Sequence, residues 1–365
     1  MTNFWENKRV FITGHTGFKG AWLCHLLDTL GAKLCGYALE PHTSPNLFTL
    51  TALEESVEHH VGTLLDFDHL KECIDTFAPD VIFHLAAQAL VRDSYDDPVG
   101  TYQVNVLGTV HLLEAIRIIG KPTVVINVTT DKCYENKEWI YPYREIDRLG
   151  GHDPYSNSKA CSELVTNCYN DSFFKQEKGR IALASARAGN VIGGGDWAKD
   201  RLIPDCVRSV ENNEKVQIRN PRAVRPWQHV LDPLNGYILL AKKLYENAQA
   251  YGGGWNFGPS PLDFKPVSWM ADQTVGIIGG EWEVSGPQEK NYHEANYLTL
   301  DSSKAMKELG WHPKLSVDKA ITWTAEWYKH FLSDPATVKD VTCAQIKEFL
   351  RHDYDYGDER IRGAS

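Results

Sequence analysis

The stretch TGHTGFKG, residues 13–20, carries three glycines spaced three apart between two apolar segments. The preceding residues, RVFI, predict a strand, and the following AWLCHLLDTLG predicts a helix. A glycine-rich turn between a strand and a helix lets the backbone approach a pyrophosphate closely, while the helix N-terminus supplies unpaired N–H groups. We therefore expect Gly14, Gly17 and Gly20 to form a dinucleotide site. No G-K-[ST] follows, which disfavours a nucleoside-triphosphate loop.

Short β-rich runs alternate with longer helical patterns through the first half of the chain. Strands are expected at residues 10–13, 33–37, 81–85, 124–128 and 181–186. Several of these runs are continuously apolar, as is typical of strands covered by helices on both sheet faces. The pattern predicts an α/β fold with a doubly wound parallel sheet of the Rossmann type.

The texture of the sequence changes after Arg187, where segments rich in Gly, Pro and Arg indicate loops around a cleft. We expect a smaller, partly interleaved C-terminal domain that binds the substrate. The predicted dinucleotide-binding domain comprises 1–187 with a returning segment of about 227–257, and the predicted substrate domain comprises 188–226 and 258–365.

Composition narrows the class of protein. The 365 residues are 42% hydrophobic and 24% charged, which is typical of a soluble globular chain. A net charge of −10 argues against general affinity for nucleic acid or acidic membranes. Neither a signal-peptide pattern nor an apolar run of about 20 residues is found, so a cytoplasmic location is expected. The eight cysteines show no C-x-x-C pair and no metal-ligand spacing, which predicts reduced structural thiols and no metal site.

The end of the second predicted strand and the segment after it bear on the choice between NAD and NADP. Ala38 stands where a ribose-binding Asp is expected, and Glu40 is the nearest acid. Since no Arg or Lys follows that strand to hold a 2′-phosphate, NAD is favoured over NADP. Asp66 lies between the second predicted strand and the one at 81–85, where its carboxylate could accept a hydrogen bond from the adenine amino group or simply cap a helix.

The segment DPYSNSKACSEL, residues 153–164, begins like a helix at Asp153 and Pro154. A helix there places Tyr155 and Lys159 four residues apart on one face. An ammonium group near a phenol lowers the phenol's pKa from about 10, so that the phenolate can act as a base near neutral pH.

Several motifs together resemble the extended short-chain dehydrogenases/reductases: the glycine motif, HLAAQ at 84–88, NVLGT at 105–109, and Tyr155-x-x-x-Lys159. Downstream, RAGNVIGGGDW, RPWQHVLD and DSSKAMKELGW resemble the subgroup that modifies sugar nucleotides. The resemblance implies that the first domain binds NAD and that the second closes over a nucleoside diphosphate sugar. The implied cofactor-binding residues are Gly14, Gly17, Phe18, Gly20, Asp66, Leu85, Ala86, Ala87, Tyr155 and Lys159.

The residues after the fourth predicted strand of this pattern distinguish the reactions of that subgroup. Its 4-epimerases carry small hydroxyl residues there, whereas its 4,6-dehydratases carry Thr-Asp-Glu. This chain has Thr130-Asp131-Lys132, and with GHTGFKGAWL it most resembles the branch that acts on CDP-glucose. The alternative is that Asp131 and Lys132 form an exposed charged turn.

The resemblance implies a role for each member of this set. Tyr155 takes the C4 hydroxyl proton, Thr130 hydrogen-bonds the same oxygen, and Lys159 holds the phenolate. Lys132 removes the C5 proton while Asp131 protonates the leaving C6 hydroxyl, and a tightly bound NAD carries hydride from C4 to C6. The reaction would be an early step of deoxysugar synthesis for lipopolysaccharide O-antigen.

Guanidinium groups match phosphate oxygens in a bidentate way, which makes Arg219 and Arg225 candidates for the diphosphate. Resemblance to R-P-W-x-H-V favours Arg225, and Asn190 and Arg201 are candidates for the first phosphate or the sugar; any of these could instead be a surface residue. His229 is interpreted as a packing residue. Three alternatives stay open: a 4-epimerase, a dehydratase of another nucleoside diphosphate sugar, and a non-catalytic NAD-sensing protein.

The oligomeric state follows only from the resemblance. Helices starting near Asn105 and Tyr155 resemble those that pair across a two-fold axis in this family, which implies a homodimer or a dimer of dimers. Val110, Leu113 and Ile116 on the first of these helices would equally suit a stripe that packs on the sheet.

Overall fold

The computed structural model describes residues 2–175, 180–286 and 297–351. Its strands are β1 (Arg9–Thr13), β2 (Lys33–Ala38), β3 (Val57–Val61), β4 (Val81–His84), β5 (Thr123–Val128), β6 (Ile181–Ala188), β7 (Val191–Ile192), β8 (Val216–Ile218), β9 (Val224–Pro226), β10 (Gln228–His229), β11 (Gly253–Phe257), β12 (Phe264–Pro266) and β13 (Trp282–Val284).

The α-helices are α1 (Thr2–Trp5), α2 (Phe18–Thr29), α3 (Leu47–Leu50), α4 (Phe67–Phe77), α5 (Val91–Asp96), α6 (Pro98–Tyr102), α7 (Gly108–Ile119), α8 (Pro154–Tyr169), α9 (Leu202–Glu211), α10 (Leu231–Glu246), α11 (Val267–Ile278), α12 (Val317–Ser333) and α13 (Val338–Arg351). Short 3-10 turns lie at Leu53–Glu55, Asp131–Cys133, Pro261–Asp263 and Pro335–Thr337, and π-helical segments at Gln103–Leu107, Asn170–Phe174 and Ala305–Leu309.

Seven parallel strands form the central sheet in the order β11-β6-β5-β4-β1-β2-β3. The chain runs outward from β1 to β3 and then returns to the other side of β1 at β4, so the strand order reverses between β1 and β4. In open α/β sheets, ligands bind beyond the carboxyl ends of the strands at such a reversal. The predicted doubly wound fold is confirmed, and the glycine turn after β1 lies at the reversal.

The strands are buried because helices cover both faces of the sheet. Val10 and Ile12 belong to the larger core, which includes side chains of α2, α10 and α12. Phe11, between them in β1, points to the opposite face and joins a second core with side chains of α4 and α7. This alternation along a strand explains why β1 reads as a continuous apolar run.

The first of the two helices assigned to a subunit contact begins earlier than Asn105. It starts at Pro98, where the Asp97 side chain caps it by accepting a hydrogen bond from the Gly100 N–H (2.9 Å), and it runs through a π-helical segment into α7. Leu113 and Ile116 are buried in the α4–α7 core, so the apolar stripe of α7 packs on the sheet.

The chain after β6 forms three small two-stranded sheets in addition to β11 of the central sheet. Two-stranded pairings join β7 to β10, β9 to β12 and β8 to β13, and helices α9 and α11 pack beside them. Within the described ranges, no helix combines the length and the apolar character needed to cross a membrane.

Candidate active site

The turn at residues 13–20 has no room for a side chain at Gly14 or Gly20. Gly14 has a φ of 78°, and a Cβ atom there would lie 2.6 Å from the Ala86 nitrogen; one at Gly20 would lie 2.2 Å from the Gly14 carbonyl oxygen. Gly17 occupies the N-cap position of α2 and supplies no side-chain cap. The first N–H groups of α2 are thus left to an anion, as a pyrophosphate requires. The turn fits a dinucleotide.

The other predicted cofactor residues surround this turn. The Leu85 N–H donates to the Thr13 carbonyl (3.1 Å) and the Ala86 N–H to the Thr13 hydroxyl (3.2 Å), which fixes residues 85–87 beside the turn. Phe18 lies near Gly193, where an added Cβ would come within 3.1 Å of its ring. Asp66 caps α4 by accepting a hydrogen bond from the His69 N–H (3.1 Å). This is the helix-cap role that the sequence offered as the alternative to an adenine contact.

Thr130 and Asp131 follow β5 and are nearly inaccessible, 8% and 3% exposed. Thr130 caps the 3-10 turn by accepting from the Lys132 N–H (3.3 Å), and its hydroxyl donates to the Asp131 carboxylate (3.0 Å). Burial raises the pKa of Asp131, against the opposing effects of the Lys132 charge and the Thr130 hydrogen bond. The neutral acid is therefore more accessible for Asp131 than for an ordinary aspartate, and the interpretation of this pair as an exposed charged turn is wrong for Asp131.

Tyr155 and Lys159 lie on the first two turns of α8, which Asp153 caps by accepting from the Ser156 N–H (2.9 Å). The Tyr155 hydroxyl lies near Thr130, which lowers the pKa of the phenol. Lys159 is buried and its Nζ donates to the Val128 carbonyl (2.9 Å). The helix thus delivers Tyr155 and Lys159 to the carboxyl end of β5, beside Thr130 and Asp131.

The sequence expectation that Lys159 lowers the Tyr155 pKa does not describe this state of the protein. Burial raises the pKa of Tyr155 to about 12, whereas the Thr130 hydrogen bond and the Arg201 charge lower it. Burial also lowers the pKa of Lys159 to about 8, because a charged amine is poorly solvated there. Desolvation is therefore the main cause of both shifts, and more positive charge is needed to ionise the phenol near neutral pH.

Two positively charged side chains lie beside Tyr155 and Asp131, and only one of them was predicted from the sequence. Arg201, a predicted substrate residue, donates to the Asp196 carboxylate (2.7 Å) and interacts electrostatically with Tyr155. Lys19, in the first turn of α2, was not predicted; its amine interacts with Arg201, Asp131 and Lys159, and burial lowers its pKa to about 8. A cation is unfavourable at a helix N-terminus, and this is the signal that could have identified Lys19.

A buried ion pair behind Lys159 also escaped sequence analysis. Glu163, one further turn along α8, pairs with Arg187 at 2.5 Å, and the two side chains are 1% and 3% exposed. The Thr129 hydroxyl donates to Glu163 (2.6 Å), and the Arg187 guanidinium donates to the Tyr134 hydroxyl (2.5 Å). The pair therefore ties α8 to the ends of β5 and β6, where the site is formed.

The remaining predicted substrate residues make hydrogen bonds and ion pairs with groups other than Tyr155. Arg219 donates to Asp200 (2.9 Å), which also pairs with Arg92 at 3.0 Å. Arg225 donates to the Val224 carbonyl (3.1 Å), and the Asn190 carbonyl accepts from the Gln228 N–H (3.1 Å). The role of Arg219 and Arg225 in holding a diphosphate stays a prediction.

His229 lies in the larger core. It is fully buried between the rings of Trp22 and Trp323, with ring centroids 5.7 Å and 5.6 Å away, and burial lowers its pKa to about 3. This environment suits a neutral packing residue.

Comparison with known proteins assigns the chain to a family. A family model described as GDP-mannose 4,6 dehydratase matches residues 11–324. The chain belongs to the GDP-mannose 4,6-dehydratase family. The prediction of a sugar-nucleotide-modifying enzyme of the short-chain dehydrogenase/reductase type is confirmed at this level. Among its relatives, a CDP-glucose 4,6-dehydratase from Salmonella typhimurium is 51% identical over 335 residues, which are 90% of this chain and 93% of that protein.

Solved structures share the fold of this 4,6-dehydratase family member. An epimerase from Methanothermobacter thermautotrophicus superposes with a TM-score of 0.76 at 21% identity, covering 92% of this chain and 96% of that one. A dTDP-glucose 4,6-dehydratase from Bacillus anthracis, solved in complex with NAD, superposes with a TM-score of 0.71 at 22% identity, covering 88% and 96%. Because epimerases and dehydratases share this fold, the reaction has to be argued from the site.

Proposed function

We propose that this chain is a CDP-glucose 4,6-dehydratase, a hydro-lyase that converts CDP-glucose to CDP-4-keto-6-deoxyglucose and water. The observation that carries the proposal is that Thr130 and Asp131 are buried beside Tyr155, with the half-buried Lys132 next in the same turn, so that an acid and a potential base adjoin the phenol. The relative from Salmonella typhimurium, at 51% identity, supports the same substrate. The 4-epimerase alternative needs Tyr155 and Lys159 but gives Asp131 and Lys132 no task.

NAD is the cofactor of the proposed reaction. The turn at Gly14, Gly17 and Gly20 would hold its pyrophosphate, with residues 85–87 beside it and Asp66 toward the adenine end. When bound, NAD would supply the hydride chemistry: the hydride lost from C4 would return to C6 as a proton returns to C5, so the cofactor would be regenerated within each turnover.

Tyr155 and Thr130 would act on the C4 hydroxyl. Tyr155 accepts its proton, and Thr130, which lies near Tyr155, orients the same oxygen. Arg201 favours the phenolate because its positive charge lowers the Tyr155 pKa. Lys159 stabilises the phenolate with its positive charge. Because the pKa of Lys159 is about 8, most of this lysine is protonated at neutral pH.

Asp131 and Lys132 would carry out the elimination. A 4-keto group acidifies the C5 proton, which Lys132 removes. Asp131 gives its proton to the C6 hydroxyl, and water leaves as the C5–C6 double bond forms. The raised pKa of Asp131 suits a group that must hold a proton until this step.

The proposal is tested by offering the protein, with NAD, the CDP-, dTDP-, GDP- and UDP-sugars in parallel. We expect CDP-glucose to give a 4-keto-6-deoxy product lighter by one water, as read by mass spectrometry. A product of unchanged mass with an inverted C4 would establish the 4-epimerase. Turnover of only another nucleotide sugar would show that the enzyme recognises a nucleobase other than cytosine. Binding of NAD without turnover of any sugar would favour the sensing protein.

We further propose the division into 1–187 with 227–257, and 188–226 with 258–365. Its support is that β11, from the returning segment, pairs with β6 over residues Gly253–Phe257. A cytoplasmic location is proposed because the eight cysteines are free thiols, which suits a reducing compartment.

A homodimer is proposed through α8 and the helical segment that precedes α7. Large apolar side chains stand exposed there, which is unusual for a surface that faces only water: Tyr102, Leu107, Leu164 and Phe173. Sedimentation equilibrium of the wild-type protein distinguishes this dimer from a monomer and from a dimer of dimers.

A further inference from the structure

Five side chains of types that ligate metals meet at the β3 edge of the sheet. The strand register sets Cys35 of β2 opposite Glu58 of β3, and His60 lies two residues further on, hence on the same sheet face. Helix α4 packs on this face and carries His69 and Cys73 four residues apart. The cluster therefore comes from three elements that are distant in sequence.

The ligand atoms of these residues are close together. Those of His60, His69 and Cys73 all lie within 4.8 Å of one another, and so do those of Cys35, Glu58 and His60. A tetrahedral zinc ion with bonds of about 2.0–2.3 Å holds its ligand atoms roughly 3.3–3.8 Å apart. Within the first group the ligand atoms have to approach by about 1 Å, which rotation of the 33% exposed His60 side chain allows. Cys35 shares only His60 with that group, so its thiol has to rotate further to reach the same ion.

We propose that His60, His69 and Cys73 bind one Zn²⁺ ion and that Cys35, which lies beside His60, turns to complete the site, so that the ion fastens α4 to β2 and β3. Two thiols and two imidazoles form a ligand set that zinc prefers and that magnesium and calcium do not. Glu58 stays outside the metal's own ligands and orients His60, to which it is hydrogen-bonded at 3.0 Å. A carboxylate on the second ring nitrogen is a common partner of a metal-bound histidine.

The position of the cluster suits a structural ion. Cys35 and Cys73 are 0% and 6% exposed, whereas His60 reaches the surface, so the ion has buried ligands and an entry path. The expectation from sequence that no metal binds considered only spacing along the chain, whereas here β2, β3 and α4 bring distant residues together. Burial raises the pKa of both thiols, so zinc binding has to release their protons.

The test titrates the metal-free full-length protein with Zn²⁺, and with Co²⁺ as a spectroscopic probe. We expect one ion per chain, a thiolate-to-cobalt absorption band in the near ultraviolet, and proton release. At free zinc of 100 times Kd, Tm should rise by about 3–4 °C. Wild-type protein that shows neither the band nor the rise in Tm would overturn the proposal without any variant.

Variants then test the ligands. Cys73→Ser, Cys35→Ser and His69→Gln should each lose the Tm rise and change or abolish the cobalt band, while Glu58→Gln should weaken binding about 10–100-fold. Cys168→Ser, at an exposed cysteine on α8, and His42→Gln, at an exposed histidine, are the matched controls and should bind like the wild type. Equal loss of binding in the controls, or full binding in Cys73→Ser and His69→Gln, would show that the ion sits elsewhere. Far-UV circular dichroism of each metal-free variant checks that it is folded.

Discussion

Lys132 is the residue at which this chain departs from the Thr-Asp-Glu triplet of related dehydratases, and it gives the sharpest test of the mechanism. Lys132→Ala removes the proposed C5 base but leaves Tyr155 and Thr130 in place. We expect C4 oxidation to continue while water loss slows by about 10²–10⁴-fold, the usual contribution of a general base. Rapid quench and mass spectrometry should then find a 4-keto sugar nucleotide that retains its C6 hydroxyl.

Tyr155→Phe is the contrasting variant, because it removes only the phenolic oxygen and should block C4 oxidation itself, so that no keto sugar forms. Water loss at the wild-type rate in Lys132→Ala would show that Lys132 is not the C5 base and would transfer that role to Asp131 or to a water molecule. Failure of Lys132→Ala to form any keto sugar would place Lys132 in the first step instead.

At the scale of the element, α8 presents Tyr155, Lys159 and Glu163 at intervals of four residues, and the last of these anchors the helix. In Glu163→Gln the Arg187 charge is left buried without its partner, which should cost about 3–5 kcal/mol of unfolding free energy. The loss also removes a charge that raises the pKa of Lys159, so the fraction of protonated Lys159 at neutral pH should fall and activity with it. Denaturant unfolding and a pH–rate profile measure the two effects.

The double variant Glu163→Gln, Arg187→Met is the control for that prediction. Removing both charges should recover much of the lost stability, since a buried pair replaced by uncharged residues is often close to neutral. Recovery of stability without recovery of activity would assign Glu163 a role in positioning Lys159. If Glu163→Gln instead unfolds at the wild-type denaturant concentration, the ion pair does not anchor α8.

The sequence predicted those elements whose signals are local. The glycine turn, the apolar runs of β1, β4 and β5, and the Asp153-Pro154 helix start each carry their information within a few residues. Contacts that depend on tertiary register carried no such signal: Lys19 beside Asp131, Glu163 beside Arg187, and Cys35 opposite Glu58. The start of the helix before α7 was misplaced because Asn105 was taken from a motif, whereas the Asp97 cap and Pro98 fix it.

For the whole molecule, buried histidines determine how stability depends on pH. Burial is the main cause that lowers the pKa of His15, His84 and His229 to about 3 and that of His25 to about 4. These groups stay neutral in the folded protein but bind protons below pH 6.5 once it unfolds, so stability present above pH 6.5 is lost as the pH falls toward these values. Each contributes up to about 1.4 kcal/mol per pH unit in that window.

Asp232 acts in the opposite direction. Burial raises its pKa to about 7 although the N–H groups of Lys314 (2.6 Å) and Leu315 (3.3 Å) donate to it. The folded protein therefore holds a proton there between about pH 4 and 7 that the unfolded chain releases, and acidification through this range stabilises the fold. Burial also raises the pKa of Asp131, Glu145 and Asp205. The four histidines, whose unfolded pKa of about 6.5 lies within this range, should still take up more protons on unfolding, so acidification from pH 7 to pH 5 should lower stability.

The expected outcome is an unfolding free energy, measured by denaturant titration, that falls steadily from pH 7 to pH 5. His25→Gln should reduce the slope of that decline by up to about 1.4 kcal/mol per pH unit, the effect of one proton, because the glutamine side chain does not titrate. The glutamine can keep a hydrogen bond to Thr51, whose hydroxyl lies 2.7 Å from His25 Nε2. His42→Gln, at an exposed histidine, should leave the slope unchanged. A free energy that rises on acidification would mean that the buried carboxyls, and not the histidines, control the proton balance of folding.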